Sequence, residues 1–325
     1  MTVTEEPWRT WPDRRPAASP EPHPRWYLRR ELHLLVGIAV AALTVFFAGQ
    51  RATDGARAQL DARLVAAGAG ADAALVGIEA EQLDVVRSVE FTQGAAQALA
   101  RHDGPALNQL VAPLEANSTV PMVDVVEPDG RVLLAVRAKG APAPVASRKG
   151  LKALQLALAG VHGPRGGRLS EVVVYRSGPT LMTIGPIVRD GKPVGAVLAM
   201  TPLADVLGRT SQEVSAELTV YDSSGDPIAT TVTFDPKPIS PETAQTLVGG
   251  GAIVTRYDWA DHREKLGRLI VDHEPDAVLG VALEDDSNVT GRTVSIYVAL
   301  GLLCAGAIFA GFWARVAMAR RRGEL

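Results

Sequence analysis

Apolar residues along the chain follow three patterns: unbroken runs, one helical stripe, and short segments of strand character. Two runs carry no charge, LLVGIAVAALTVFFAG at 34–49 and VSIYVALGLLCAGAIFAGFWA at 294–314. A helix that crosses a bilayer needs about 20 mostly apolar residues. The second run meets that length outright. The first, extended to 32–49 by Leu32 and His33, meets it at the short end. A cleaved signal peptide is the competing reading of the first run. The long preceding segment 1–31, and the lack of an Ala-x-Ala-like site after Gly49, favour a retained anchor.

Beyond the first run, Leu60, Leu64, Ala67, Ala71, Leu75, Ile78, Gln82, Val86 and Val89 recur at three- and four-residue steps. That period predicts a long helix with one apolar face, within a helical region spanning 50–112. Gly68, Gly70 and Gly77 each cost about 1 kcal/mol relative to Ala, so burial must hold the helix. Its face packs on its own domain or on a second copy, which makes a homodimer an expectation.

Strands and turns follow. Residues 122–127 are β-branched, Pro128-Asp129-Gly130 supplies a turn, and 131–137 continues as the second arm of a hairpin. A helix is expected over 148–159, strands over 171–175, 181–188 and 194–200, and a turn at Asp190-Gly191. Thr201 is read as N-cap and Pro202 as first residue of an exit helix reaching about Thr210. The order then recurs in shortened form: 126–133 resembles 221–228, and 187–193 resembles 270–275. Ser240-Pro241-Glu242 opens a helix between them, and Gly249-Gly250-Gly251 ends it. Two tandem modules are therefore expected, at 113–212 and 213–290.

Charge orients the chain. Arg9, Arg14, Arg15, Arg25, Arg29 and Arg30 precede the first run, and Arg315, Arg320, Arg321 and Arg322 follow the second. Positive flanks stay cytoplasmic, so the tails 1–31 and 315–325 are expected inside and 50–293 outside a plasma membrane crossed twice. The tail 1–31, rich in Pro, Arg and Glu, reads as disordered. A net charge of -3 gives no basic excess for nucleic acid. The one cysteine, Cys304, lies inside the second run, so the middle portion has no thiol, as suits an oxidising compartment. His102, His162, His262 and His273 lack metal-ligand spacing. No Gly-x-Ser-x-Gly elbow, P-loop or dinucleotide fingerprint is present. Neither a catalytic residue, a metal site nor a cofactor is expected.

The two apolar runs, the Ala-rich helix, VDVVEPDGRVLLAV, LMTIGPIVRDGKPVGAVLAM and LTVYDSSGDPIA together resemble the double-Cache class of extracellular sensors over 33–314. That resemblance implies an α+β fold, with a long N-terminal helix packed on two tandem PAS-like antiparallel-sheet modules between two transmembrane helices. It also implies a small-molecule ligand in the first module, and dimers that signal through the membrane helices. Amino-acid-binding members carry an Arg-x-Trp pair, and the first module has no Trp, so that ligand class is not supported. The chain also ends at Leu325, soon after the second run. The expectation is a separate cytoplasmic or membrane signalling protein as partner; the alternative is a membrane-anchored scaffold or truncated receptor.

Within the first module, Arg137, Tyr175, Thr183 and Asp124 are the candidate ligand-binding residues. Arg137 closes a strand and has the geometry to grip a carboxylate; a solvated strand-end charge is its plainer role. Tyr175 and Thr183 are polar groups on otherwise apolar strands, as pockets require, or ordinary edge residues. Asp124 alternates with Met122 and Val126, so it points into the pocket or to the sheet rim. Arg165, Gly166, Gly167 and Arg168 form a basic loop, and Glu284, Asp285 and Asp286 a solvated run beside the second span.

Overall fold

All nine residues of the helical stripe, from Leu60 to Val89, are buried, and they lie on one helix, α1 (Trp26–Glu90). The computed structural model describes residues 26–160, 168–233, 235–251, 254–259, 262–271, 274–284 and 287–321. The expectations for the tail before Trp26, for His162, Arg165, Gly166, Gly167, His273, Asp285 and Asp286, and for 322–325 fall outside these. The chain divides into two units, Ala56–Asp286 on the one hand and Met1–Gly55 with Ser287–Leu325 on the other.

In the Ala56–Asp286 unit, α1 is followed by α2 (Ala95–Ala100), α3 (Gly104–Ala116), β1 (Met122–Val126), β2 (Val132–Arg137) and α4 (Lys152–Leu158). Then come β3 (Leu169–Tyr175), β4 (Gly178–Arg189), β5 (Lys192–Pro202) and α5 (Leu203–Val214). The second half runs β6 (Glu217–Tyr221), β7 (Pro227–Thr230), α6 (Pro241–Val248), β8 (Val254–Trp259), β9 (His262–Val271) and β10 (Glu274–Glu284). The strands form two antiparallel sheets, ordered β2-β1-β5-β4-β3 and β7-β6-β10-β9-β8, so the second repeats the topology of the first.

Each sheet buries both faces, as a strand period of two allows. On the first, Val123, Val125, Val197 and Ala199 pack on α2, α3 and the Val85–Val86–Val89 end of α1. Met122, Met182, Ile184, Leu198 and Met200 pack on Leu154 and Ala157 of α4. On the second, Leu218, Val220, Leu279 and Val281 meet Leu60, Leu64 and Ala71 of α1, and Tyr221, Leu266 and Val278 meet Leu247 of α6. The resulting α+β architecture, a long N-terminal helix packed on two antiparallel-sheet modules, is the expected one.

The duplication extends to single hydrogen bonds. Glu127 N donates to Arg131 O and Gly130 N to Glu127 O, both at 2.9 Å, while Arg148 N donates to Gly130 O at 2.7 Å. In the second half, Asp222 N donates to Asp226 O, Gly225 N to Asp222 O and Ile239 N to Gly225 O, at 2.9–3.0 Å. The two glycines have φ of 84° and 91°, and a Cβ on either would meet the returning backbone at 2.6 Å (Lys149 Cα) or 2.2 Å (Ile239 O). A bulge closes both hairpins, at Val126 and at Tyr221.

Two helix starts differ from expectation. Arg148 is tied by its backbone to Gly130, so α4 begins only at Lys152 with Leu151 as its extended N-cap. β5 runs through Pro202, whose ψ of 134° is extended; Thr201 is therefore a strand residue, paired with Leu181, and caps nothing. By contrast, Ser240 does cap α6, accepting from Thr243 N at 3.2 Å, and Gly249 ends it.

The other unit contains the start of α1 and α7 (Ser287–Arg321). Both helices are long and apolar enough to cross a membrane; the relevant stretches reach mean hydropathies of 1.4 from Val36 and 2.0 over Ile296–Arg315. Val40, Phe47, Leu300 and Leu303 on them are exposed.

Candidate functional site

Asp124 is a fully buried carboxylate in the middle of β1, among apolar neighbours. A lone charge there would be untenable; such groups are paired or neutralised. Two arginines meet it. Arg148 donates from Nε (3.0 Å) and Nη2 (2.8 Å) to the same oxygen, Oδ2. Arg137 Nη2 lies 2.5 Å from Oδ1, as a close ion contact. Arg137 also donates through Nη1 to the carbonyls of Val136 (2.8 Å) and Val123 (3.2 Å).

Tyr175, at the end of β3, completes the cluster. The Arg148 guanidinium carbon stands 4.8 Å from its ring centroid, a cation–π contact. The Tyr175 hydroxyl and Arg137 Nε are both buried without a hydrogen-bond partner. Burial raises the Tyr175 pKa above the ordinary phenol value, with the Arg148 cation pulling the other way. The Tyr175 hydroxyl therefore has an unused hydrogen-bonding capacity beside Arg148.

Arg137, Arg148 and Tyr175, but not Asp124, line a cavity of about 20 Å³, together with Thr180, Met200, Pro142, Ala143 and Val145. Such a space holds roughly one water, since about 10–15 Å³ is the minimum. Pro142, Ala143 and Val145 belong to the connection between β2 and α4, pinned at its ends by Ala138 N to Pro121 O (2.8 Å) and Val132 N to Ala146 O (3.0 Å). Its middle has few such ties, and Gly140 within it has open space around it.

Three of the four candidates, Asp124, Arg137 and Tyr175, therefore converge. Thr183 does not. It lies on the opposite face of the sheet, donating to Gln82 Oε1 of α1 at 2.8 Å and meeting Ser170 Oγ at 2.9 Å. Gln82 Nε2 in turn donates to Thr201 Oγ1 (2.9 Å) and Leu181 O (3.2 Å). The strand period explains the placement: Met182 and Ile184 face α4, so Thr183 must face α1. Arg148 is the member sequence reasoning missed. Its only signal was indirect, in that a carboxylate inside an apolar strand demands a cation. Arg168, from the basic loop, pairs with Glu90 at the end of α1 at 2.5 Å.

No family model matches the chain, and no curated protein matches it. Solved structures do. The domain of a protein assigned to the sensory box/GGDEF family, from Vibrio parahaemolyticus, aligns over 72% of this chain and 98% of its own length, with TM-score 0.50 and 10% identity. The extracellular domain of vpHK1S-Z8, described as a histidine kinase, aligns over 75% and 95%, with TM-score 0.51 and 10% identity. The ligand-binding domain of the Campylobacter jejuni chemoreceptor Tlp3, in complex with L-valine, gives TM-score 0.48 at 12% identity over 72% and 96%. The fold is a double-Cache one, shared with the first two of these domains.

In double-Cache terms, the Asp124 cluster belongs to the first module, between its sheet and α4. The second module carries a different polar pair. Tyr221 and Glu264 are both fully buried, and the phenol donates to Glu264 Oε1 at 2.8 Å. Gly280 makes room for them, because a Cβ there would lie 2.0 Å from Glu264 Oε1. The modules share a topology, but their interiors are not chemically alike.

Proposed function

We propose that this chain is a membrane-anchored extracytoplasmic sensor, in which the first module binds a small ligand and a separate transducer receives the signal through the transmembrane helices. One observation carries the reading: the unpartnered donors Arg137 Nε and Tyr175 Oη face one small cavity beside a fixed Asp124–Arg148 pair. The fixed pair ties the middle of β1 to the connection before α4; the spare donors are the groups a ligand oxygen would satisfy. The ligand must bind two forms of the chain with different affinity, or nothing is transmitted. The apolar helices at both ends of the double-Cache unit support the anchoring, and the arginine flanks support cytoplasmic termini.

The homodimer is part of the same proposal. The outward face of α1 presents Ala62, Ala66, Ala69, Ala73, Val76 and Ala80, all exposed, at alternating steps of four and three. That spacing is the seam of a left-handed helix pair, and alanines permit close approach. Ala73→Arg is expected to convert a dimer to a monomer in size-exclusion chromatography with light scattering.

The ligand reading is tested by thermal unfolding of the full chain in detergent micelles against a metabolite panel. At least one compound is expected to raise the midpoint by several degrees in wild type and by far less in Arg137→Gln and Tyr175→Phe. A panel that never raises it points instead to a scaffold that kept the fold without the ligand. The near-filled cavity, with Arg148 already seated against Asp124 and Tyr175, is what favours that second reading.

A further inference from the structure

The second module has an open cleft of about 490 Å³ between α1 and its sheet, well apart in residue content from the Asp124 cluster. Its walls are Val65 and Asp72 of α1, Gly251 after α6, and Lys265, Gly267 and Arg268 of β9. That volume lies in the usual range for small-molecule sites, about 300–1,000 Å³. Two glycines keep it hollow: a Cβ placed on Gly68 or Gly267 would meet no atom within 4 Å. Leu279 and Val281 of β10, both buried, form its apolar floor.

Its charge is unbalanced. Among the described residues, neither Lys265 nor Arg268 has an ion-pair partner within 4 Å, whereas the neighbouring Arg263 is bound to Asp61 at 2.7 Å. Among the described residues, the one acid lining the cleft is Asp72. Burial raises its pKa above the ordinary carboxylate value, against the pull of Arg268 and then Lys265. Two cations facing a single, partly buried carboxylate leave the cleft with positive charge to spare.

We infer that this cleft is a second ligand site, taking a small organic anion whose carboxylate is held by Lys265 and Arg268 and whose apolar body lies on Leu279 and Val281. A free inorganic oxyanion would satisfy the cations but leave the apolar floor bare, so the organic anion is the better fit. The site is independent of the ligand reading for the first module.

The test is isothermal titration of the full chain in micelles with butyrate, hexanoate and benzoate, using butyramide and inorganic phosphate as controls. At least one carboxylate is expected to bind, with butyramide and phosphate at least tenfold weaker. Lys265→Gln with Arg268→Gln weakens binding at least tenfold, and Asp72→Asn strengthens it about threefold by removing the competing charge. Gly267→Val fills the cleft without a clash; it abolishes binding while leaving the thermal midpoint unchanged or higher, so a folding defect cannot mimic the result. Arg137→Gln leaves this titration intact, which separates it from the first-module site. No carboxylate binding, binding lost in Arg137→Gln, phosphate binding as tight as carboxylate, or a cation-pair variant that alters only oligomeric state would each overturn the inference.

Discussion

Arg148 donates two hydrogen bonds to a single oxygen of Asp124, and both side chains are buried in the first module. Removing one member of such a pair leaves the other charged and dry, at a cost of about 3–5 kcal/mol, whereas replacing both with apolar groups is often neutral. Asp124→Leu is expected to lower unfolding free energy by about that amount. Adding Arg148→Met should recover part of that loss, with Arg137 still deprived of its carboxylate. Urea titration followed by circular dichroism reads both values; a double variant as unstable as the single one would contradict the pairing.

The matching glycines make a second prediction. Gly130→Ala and Gly225→Ala each place a Cβ against fixed backbone at positive φ, so both should cost well over 2 kcal/mol. Gly140 also has positive φ, 88°, but a Cβ there meets nothing within 4 Å. Gly140→Ala should therefore cost only about 1–2 kcal/mol, the backbone penalty alone. Thermal midpoints of the three variants rank them.

Gln82 bridges α1 to three groups of the first sheet, with no water-exposed surface. Gln82→Leu leaves the Thr183 and Thr201 hydroxyls short of partners and should cost about 1–3 kcal/mol. Thr183→Val in that background should then cost less than it does in wild type. A double-mutant cycle showing simple additivity would mean the two side chains do not depend on each other.

Acid sensitivity has a stated direction at Glu127. The Arg131 guanidinium, opposed by burial and helped by His102, holds its carboxylate below the ordinary pKa. Its contribution to stability is thus present above the unfolded value of about 4.3 and is lost as pH falls through the lower folded value. Arg131→Ala lets the folded value climb, so the loss should begin at higher pH. Melting curves between about pH 3 and 6 would show the acid limb displaced upward, with no difference expected near neutrality beyond a constant offset.

Legibility followed periodicity. The α1 stripe was readable because its buried positions recur with a helical period, while most of its exposed ones are Ala, Arg and Asp. Alternation with Met122 and Val126 left pocket and sheet rim both open for Asp124; the structure buries it. The face of Thr183 was not legible either, because β4 buries Leu181, Met182, Thr183 and Ile184 in succession and offers no polar face to set the phase. Arg148 reaches Asp124 across 24 residues and Arg168 reaches Glu90 across 78. Local patterns carry no record of such contacts. The Thr201-Pro202 start failed for a similar reason: pairing of Thr201 with Leu181 extended the strand past a sequence that favours a helix N-terminus.

The proposed sensor requires the two-module unit to lie outside the membrane, and cysteine labelling tests that most directly. In a Cys304→Ser background, single cysteines at Arg14, Lys139 and Glu324 can be probed with a membrane-impermeant maleimide on intact cells, since Cys304 is the one native thiol. Lys139→Cys should label at once, and Arg14→Cys and Glu324→Cys only after lysis. Labelling of either terminal cysteine on intact cells, or protection of Lys139→Cys, would contradict it.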